Sequence, residues 1–298
     1  MSGQPGRGPT VAVVVPVKDD PEGLHGLLHA LGAQTWSDRR VVVVDNGSTT
    51  SAVKAVAVRH GAEYVVELAL GSYAARNAGV AHATGDVVAF TDADCRPAPD
   101  WLEAAVRVLL SADAPDVIAG RVRVTARDAG RPSPAEAWEL VHGFRQESYV
   151  RRAGWGATAN LVVPRPVLSE VGPFDARLLS GGDADWGVRA SAMGLTIAYC
   201  DDVVVDHPAR VRMSDLLHKL RRVQAGAYRQ AVLRGERLPQ PLVGGLGAFR
   251  PPLGAVSRAW AHPALRSPRA RAAYVLAEWV VRLNGVVVRT SELRRARR

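Results

Sequence analysis

The sequence predicts an α/β fold built on a mostly parallel central sheet flanked by helices. Three observations predict it. Apolar, β-branched runs recur at 11–17, 40–45, 62–68 and 85–91. The stretches between them, 22–33, about 50–60 and about 72–84, read as helices. Acids and turn residues close two of the runs, at Asp45-Asn46-Gly47 and Asp92-Ala93-Asp94. Strands alternating with helices imply a parallel sheet. In such sheets ligands bind beyond the carboxyl ends of the strands, so these acids can line one crevice.

Each element follows from its pattern. "VAVVVPV" (11–17) is continuous, as in a strand buried on both faces, and is too short to span a membrane. "EGLHGLLHALGA" (22–33) carries apolar residues at helical spacing. After residue 125 the pattern loosens. Residues 135–152 read as helical, and "GWGATANLVVPR" (154–165) as a Gly-rich loop entering a short strand. "GGDADWGVRASAMG" (181–194) sets acids at a helix start, where the macrodipole favours them. "TIAYCDDVVVDH" (196–207) reads as a strand pair ending at His207.

Beyond about 210 the character changes. Residues 211–237 form a basic helix, 239–268 are rich in Pro and Gly, and 269–289 are apolar but interrupted by Glu278, Arg282 and Asn284. That interruption argues for an amphipathic helix. The chain therefore divides into a flexible tail (1–10), an α/β domain (11–210) and a basic, mainly helical extension (211–298). The extension packs on the domain by default, with peripheral membrane contact through 211–298 as the alternative.

The 298 residues are 47% hydrophobic and 22% charged, as in an ordinary globular protein, and the formal net charge of +9 favours anionic partners. Aromatic-basic interleaving is missing, so nucleic acid is not expected as a partner. Two cysteines, Cys95 and Cys200, are too few for a disulfide framework. With no signal-peptide pattern, they point to a cytoplasmic location, at most peripheral to the inner face of a membrane. Cys95 reads as a small buried filler.

Asp92 and Asp94 lie on the same side if the chain is still extended there. Two carboxylates held together need a cation, and hard oxygen ligands suit Mg2+ or Mn2+. The plain alternative is a solvated turn in which both cap a helix from about 100. Arg76 can offer its guanidinium to a phosphate, or form a surface salt bridge. Asp45 can accept from the imide N–H of a pyrimidine base, or serve as a turn former.

The ordered motifs "VVVPVKDD", "VVVVDNGST", "AARNAGVAHATGDVVAFTDAD" and "GGDADWGVRA" resemble the family 2 glycosyltransferases of GT-A fold, over about residues 10–210. The resemblance implies an inverting enzyme that moves a sugar from a nucleotide-sugar of UDP, GDP or dTDP type to an acceptor hydroxyl. In that reading Asp45 binds the base, Arg76 and Asn77 lie near the nucleotide, and Asn160 with the Gly154/Gly156 loop faces the donor sugar. Asp94 is the direct metal ligand, Asp92 contacts the ribose or the metal's water shell, and His207 closes the metal site.

Asp183 matches the general base, with Asp185 its rival, and Trp186 either stacks on a sugar or fills the core. Pro16 and Val17 fall where the donor base is held. There the family often has an aromatic residue and Asn after the Pro, whereas Val17, Lys18 and Asp19 follow it here. This leaves the nucleotide open. Gly182 stands where the family often has Glu, and Pro164 replaces a common basic residue. A sugar-1-phosphate nucleotidyltransferase is a second reading, but "PVKDDPEG" lacks its glycine-rich phosphate loop. A catalytically inactive nucleotide-sugar-binding scaffold is a third.

Overall fold

The computed structural model describes residues 8–235 and 252–296. In chain order the elements are β1 (Val11–Val17), α1 (Pro21–Gly32), β2 (Arg39–Asp45), α2 (Ala52–Arg59), β3 (Glu63–Val66), α3 (Ser72–His82) and β4 (Val87–Thr91). There follow β5 (Arg96–Pro97), α4 (Trp101–Leu109), β6 (Val117–Thr125), α5 (Pro134–His142), α6 (Gln146–Ala153), β7 (Asn160–Pro164) and α7 (Arg165–Val171). The last are α8 (Gly182–Ala192), β8 (Ile197–Pro208), α9 (Met213–Arg234), α10 (Leu253–Ala261) and α11 (Pro268–Ala296).

One sheet carries the site, in the order β3-β2-β1-β4-β7-β6-β8-β5. It is mixed. β1 to β4 are parallel, whereas β7 is antiparallel to both β4 and β6, and β5 is antiparallel to β8. All seven residues of β1 are buried. Each fully buried Val contributes about 1.5–3 kcal/mol relative to exposure, which explains the unbroken apolar run. Helix α3 lies close on this strand because residue 79 is glycine; a Cβ there would collide with Val14.

Several elements depart from the sequence reading. The helix expected over 135–152 is two helices, parted at Gly143. The strand pair over 196–207 is one strand, β8. β6 and α7 carried no clear periodic signal, and the Pro/Gly-rich 239–268 contains helix α10. Residues 236–251 lie outside the described residues, as does the expected tail over 1–7. Thr10, taken as part of that tail, is tied down: its N–H donates to Asp86 Oδ2 at 2.9 Å and its hydroxyl to Asp38 Oδ2 at 3.1 Å.

The described chain divides into two compact units. The first runs to Arg123 and adds Phe144–Arg177 and Gly182–His207; the second comprises Val124–Gly143, Leu178–Gly181 and the chain from Pro208. Helix α5 thus groups with the C-terminal helices. Within the second unit, Ala137, Ala255, Ala259, Leu265, Ala270 and Tyr274 form the core. Glu278, which interrupts the apolar run of α11, accepts from Trp138 Nε1 at 3.0 Å and Arg258 at 3.1 Å, and lies 3.3 Å from His142 Nε2. Burial opposes its charge, yet these partners hold its pKa down to about 2. Among the described residues, no helix is long and apolar enough to cross a membrane.

Candidate active site

The acid pair does not sit on a strand. β4 ends at Thr91, and the chain turns at once, with Cys95 N–H donating to Asp92 O at 3.0 Å. Helix α4 starts only at Trp101, with Asp100 at its N-cap, so Asp92 and Asp94 do not cap it. The β5–β8 register pairs Arg96 with Asp206 and so places His207 opposite Cys95. Asp92, Asp94, Cys95 and His207 offer ligand atoms that all lie within 4.8 Å of one another. His207 is buried, with Nε2 3.6 Å from Asp94 Oδ2 and its ring 4.9 Å from that of Phe144.

Two carboxylates and an imidazole suit a hard to borderline divalent ion such as Mn2+. The Cys95 thiol is forced well above its usual pKa by burial and by the neighbouring carboxylates, so it stays protonated. The residues present therefore fit a divalent cation held by oxygen and nitrogen. Cys95, read from the sequence as a filler, borders that cluster.

Helix α3 ties these acids to a second centre. Arg76 is buried and donates from Nη2 to Asp92 Oδ1 at 2.5 Å. Its Nε is buried without a hydrogen-bond partner, a donor with capacity for an anion. Three residues earlier on the same face, Tyr73 donates its hydroxyl to Asp183 Oδ1 at 3.1 Å. The Ala184 N–H donates to the same oxygen at 3.0 Å. Burial raises the Asp183 pKa; the Arg76 charge and the hydrogen bonds from Ala184 and Tyr73 act against it. Burial and the Asp183 charge push the Tyr73 phenol up, so Tyr73 remains the donor.

Gly182 answers to the same contact. A Cβ there would lie 2.7 Å from ring carbons of Tyr73, so a larger residue beside Asp183 would displace the tyrosine. Asp185, the rival acid, pairs instead with Arg189 Nε at 3.2 Å.

At the β1–β2 end of the sheet, Asp45 is buried, and each of its oxygens already accepts one hydrogen bond. Ser48 N–H donates to Oδ1 at 2.8 Å and Tyr64 OH to Oδ2 at 2.7 Å. A carboxylate keeps further lone pairs. Asp19 adopts a left-handed backbone (φ 52°), and its Oδ1 accepts from Thr49 N–H at 2.6 Å and Thr49 Oγ1 at 2.8 Å. This clamps the loop after β1 to the loop after β2. Pro16 and Val17 are buried strand residues paired with Val44 and Asp45.

Two residues assigned to the donor are otherwise engaged. Asn160 is wholly buried; its Nδ2 donates to Arg121 O at 2.9 Å and Val203 O at 2.8 Å, while Oδ1 accepts from Trp101 Nε1 at 2.9 Å. It links β6, β7, β8 and α4. Asn77 closes a pair with the backbone of Phe174, donating to O at 2.8 Å and accepting from N at 2.9 Å. Trp186 is a core aromatic, buried against Phe174 and donating to Gly172 O at 2.9 Å.

Residues 12–160 match the family described as glycosyl transferase family 2. The chain is 34% identical over 226 residues to glycosyltransferase AglE of Haloferax volcanii, covering 73% of each chain.

The chain belongs to glycosyl transferase family 2.

This family 2 glycosyltransferase is also 30% identical over 227 residues to the pre-mycofactocin glycosyltransferase of Mycobacterium tuberculosis. That match covers 71% of this chain and only 46% of the relative's length. Its fold is that of the mannosyltransferase PcManGT from Pyrobaculum calidifontis, solved in complex with GDP-Man and Mn2+. The TM-score is 0.60 at 21% identity, over 97% of this chain and 88% of that one. The mixed sheet with flanking helices is accordingly the GT-A arrangement expected from the motifs.

The residue that sequence reasoning missed in this family 2 enzyme is Tyr73. The available signal was its position three residues before Arg76 on a helix, which puts both side chains on one face. Nothing local points to Asp183, which lies 110 positions away.

Proposed function

We propose that the enzyme transfers a sugar from a nucleoside-diphosphate donor to an acceptor hydroxyl, with inversion and with Asp183 as general base. The observation that carries this is the hydrogen bond from Tyr73 to Asp183, on the same helix face that pairs Arg76 with Asp92. One short helix then aligns an acid whose affinity for protons is raised with an arginine suited to phosphate.

The geometry supports the following roles. Asp183 accepts the acceptor's proton as the hydroxyl attacks the anomeric carbon; the C–O bond to the sugar forms while the bond to the diphosphate breaks. The attack and departure occur in one displacement, with no sugar bound covalently to the protein. Tyr73 fixes the orientation in which the Asp183 carboxyl meets the incoming proton. Arg76, with Nε in reserve, meets the anionic end of the donor. Asp92, Asp94 and His207 would hold the cation, and Mn2+ or Mg2+ bound there supplies charge stabilisation for the departing diphosphate. Asp45 and the clamped loops around Asp19 and Thr49 would flank the nucleobase.

GDP-mannose with Mn2+, the pair bound by the mannosyltransferase of like fold, is the first donor to test. Titrating the protein with UDP-, GDP- and dTDP-sugars, with and without Mn2+, by calorimetry tests the reading. Metal-dependent binding of one of them supports it. Binding of none, or binding unchanged by EDTA, opposes it.

A further inference from the structure

Helices α10 and α11 each bury one stripe and leave a second apolar stripe exposed. On α10, Ala255 and Ala259 enter the core while Leu253, Val256 and Trp260, at i, i+3 and i+7, are exposed. On α11, Ala270, Tyr274 and Ala277 are buried while Ala272, Leu276 and Trp279 are exposed. A helix that only packs on its own domain is polar on its outer face. Trp260 and Trp279 are the exposed tryptophans among the described residues, and Leu253 is 78% exposed. Arg271 stacks over the Trp260 ring at 4.6 Å, and Arg266, between the two helices, and Arg269, in the first turn of α11, are exposed.

Charge identifies the occupant. Residues 211–298 hold 18 of the 38 Lys and Arg but 4 of the 29 Asp and Glu, a net +14, whereas the rest of the chain carries −5. A second copy would bring the same positive charge to the contact, which disfavours self-association. Tryptophan and arginine beside leucine and valine match a headgroup boundary, where the indole has one apolar and one wet side. With no described helix able to cross a bilayer, these helices would lie along its surface.

We propose that the outer stripes of α10 and α11 dock the enzyme on an anionic lipid surface, with Trp260 and Trp279 as interfacial anchors. This goes beyond the catalytic reading and does not depend on it. The test is co-sedimentation of the full chain with phosphatidylcholine vesicles, with and without phosphatidylglycerol, alongside tryptophan emission. The expected result is binding only to vesicles with phosphatidylglycerol, weakened by salt, with a blue shift in emission. The Trp260→Ser/Trp279→Ser variant should bind on the order of tenfold more weakly at an unchanged melting temperature. Leu253→Ser and Arg266→Glu/Arg269→Glu should each weaken binding separately. Failure to bind phosphatidylglycerol vesicles at low salt would overturn the proposal. So would full binding by the double tryptophan variant, or duplex RNA competing equally for both forms, since each points to charge alone.

Discussion

Tyr73 donates its hydroxyl to Asp183 across a 110-residue separation, at 3.1 Å. The bond favours the ionised carboxylate, working against the burial that raises the Asp183 pKa. The enzyme thus keeps a carboxyl that binds protons more readily than an exposed one, yet holds it in one orientation.

Removing that bond has a defined direction. Tyr73→Phe takes away a hydrogen bond to the charged form, so the Asp183 pKa rises further. With Asp183 in the proposed role of general base, transfer needs the ionised acid, so the acid limb of the pH–rate profile should move to higher pH, with about a 10-fold loss below the limb. A profile of kcat/KM for the two proteins checks this; coincident acid limbs would remove Tyr73 from the base.

Asp183 should also cost stability. Its folded pKa is raised above the unfolded value, so between the two values the native state binds the extra proton. Stability from this carboxyl is present at low pH and falls as pH rises through that window. Asp183→Asn should therefore melt higher than the parent at neutral pH, and the gap should shrink towards about pH 4. Calorimetric scans at several pH values measure it. A lower melting point for the variant at neutral pH would contradict the assigned shift.

Gly182→Ala introduces a Cβ that meets the Tyr73 ring at 2.7 Å. The ring or the start of α8 must move, at a cost of about 1–3 kcal/mol. Urea unfolding should show that loss, and transfer should fall with it. In the Tyr73→Ala background, itself less stable, the further cost of Gly182→Ala should largely vanish, because no ring remains to be displaced.

Asn160→Ala should act on the fold and not on donor affinity. It strips partners from Trp101 Nε1 and from two buried carbonyls. Each buried group left unsatisfied costs about 1–3 kcal/mol, so midpoint denaturant concentration should drop sharply. Where the protein still folds, the dissociation constant for the donor should be unchanged. A selective loss of donor affinity would restore the donor role suggested by the motif.

These residues also show what a sequence carries. The parallel half of the sheet was legible because β1 and β4 are buried throughout and β2 from Val42 onward, so their runs must be apolar. The antiparallel half was less so. β8 mixes exposed and buried positions along 12 residues, so it reads as broken. Asp92, Asp94 and His207 were each singled out by motif, and the β5–β8 register shows how they meet. Asn77 and Asn160 illustrate the limit. A motif gives their positions, but only the fold shows their amides spent on Phe174, Trp101 and neighbouring carbonyls. Tyr73 illustrates the converse, since its partner is set by tertiary packing and no local pattern names it.

The central claim, that Asp183 and not Asp185 takes the acceptor's proton, meets its most direct test in single-turnover transfer by Asp183→Asn and Asp185→Asn, with donor affinity measured in parallel. The account predicts that Asp183→Asn binds the metal-donor complex normally but transfers about 10²–10⁴-fold more slowly, while Asp185→Asn keeps most of its rate. Transfer by Asp183→Asn at near the parent rate, or a loss confined to Asp185→Asn, would contradict it.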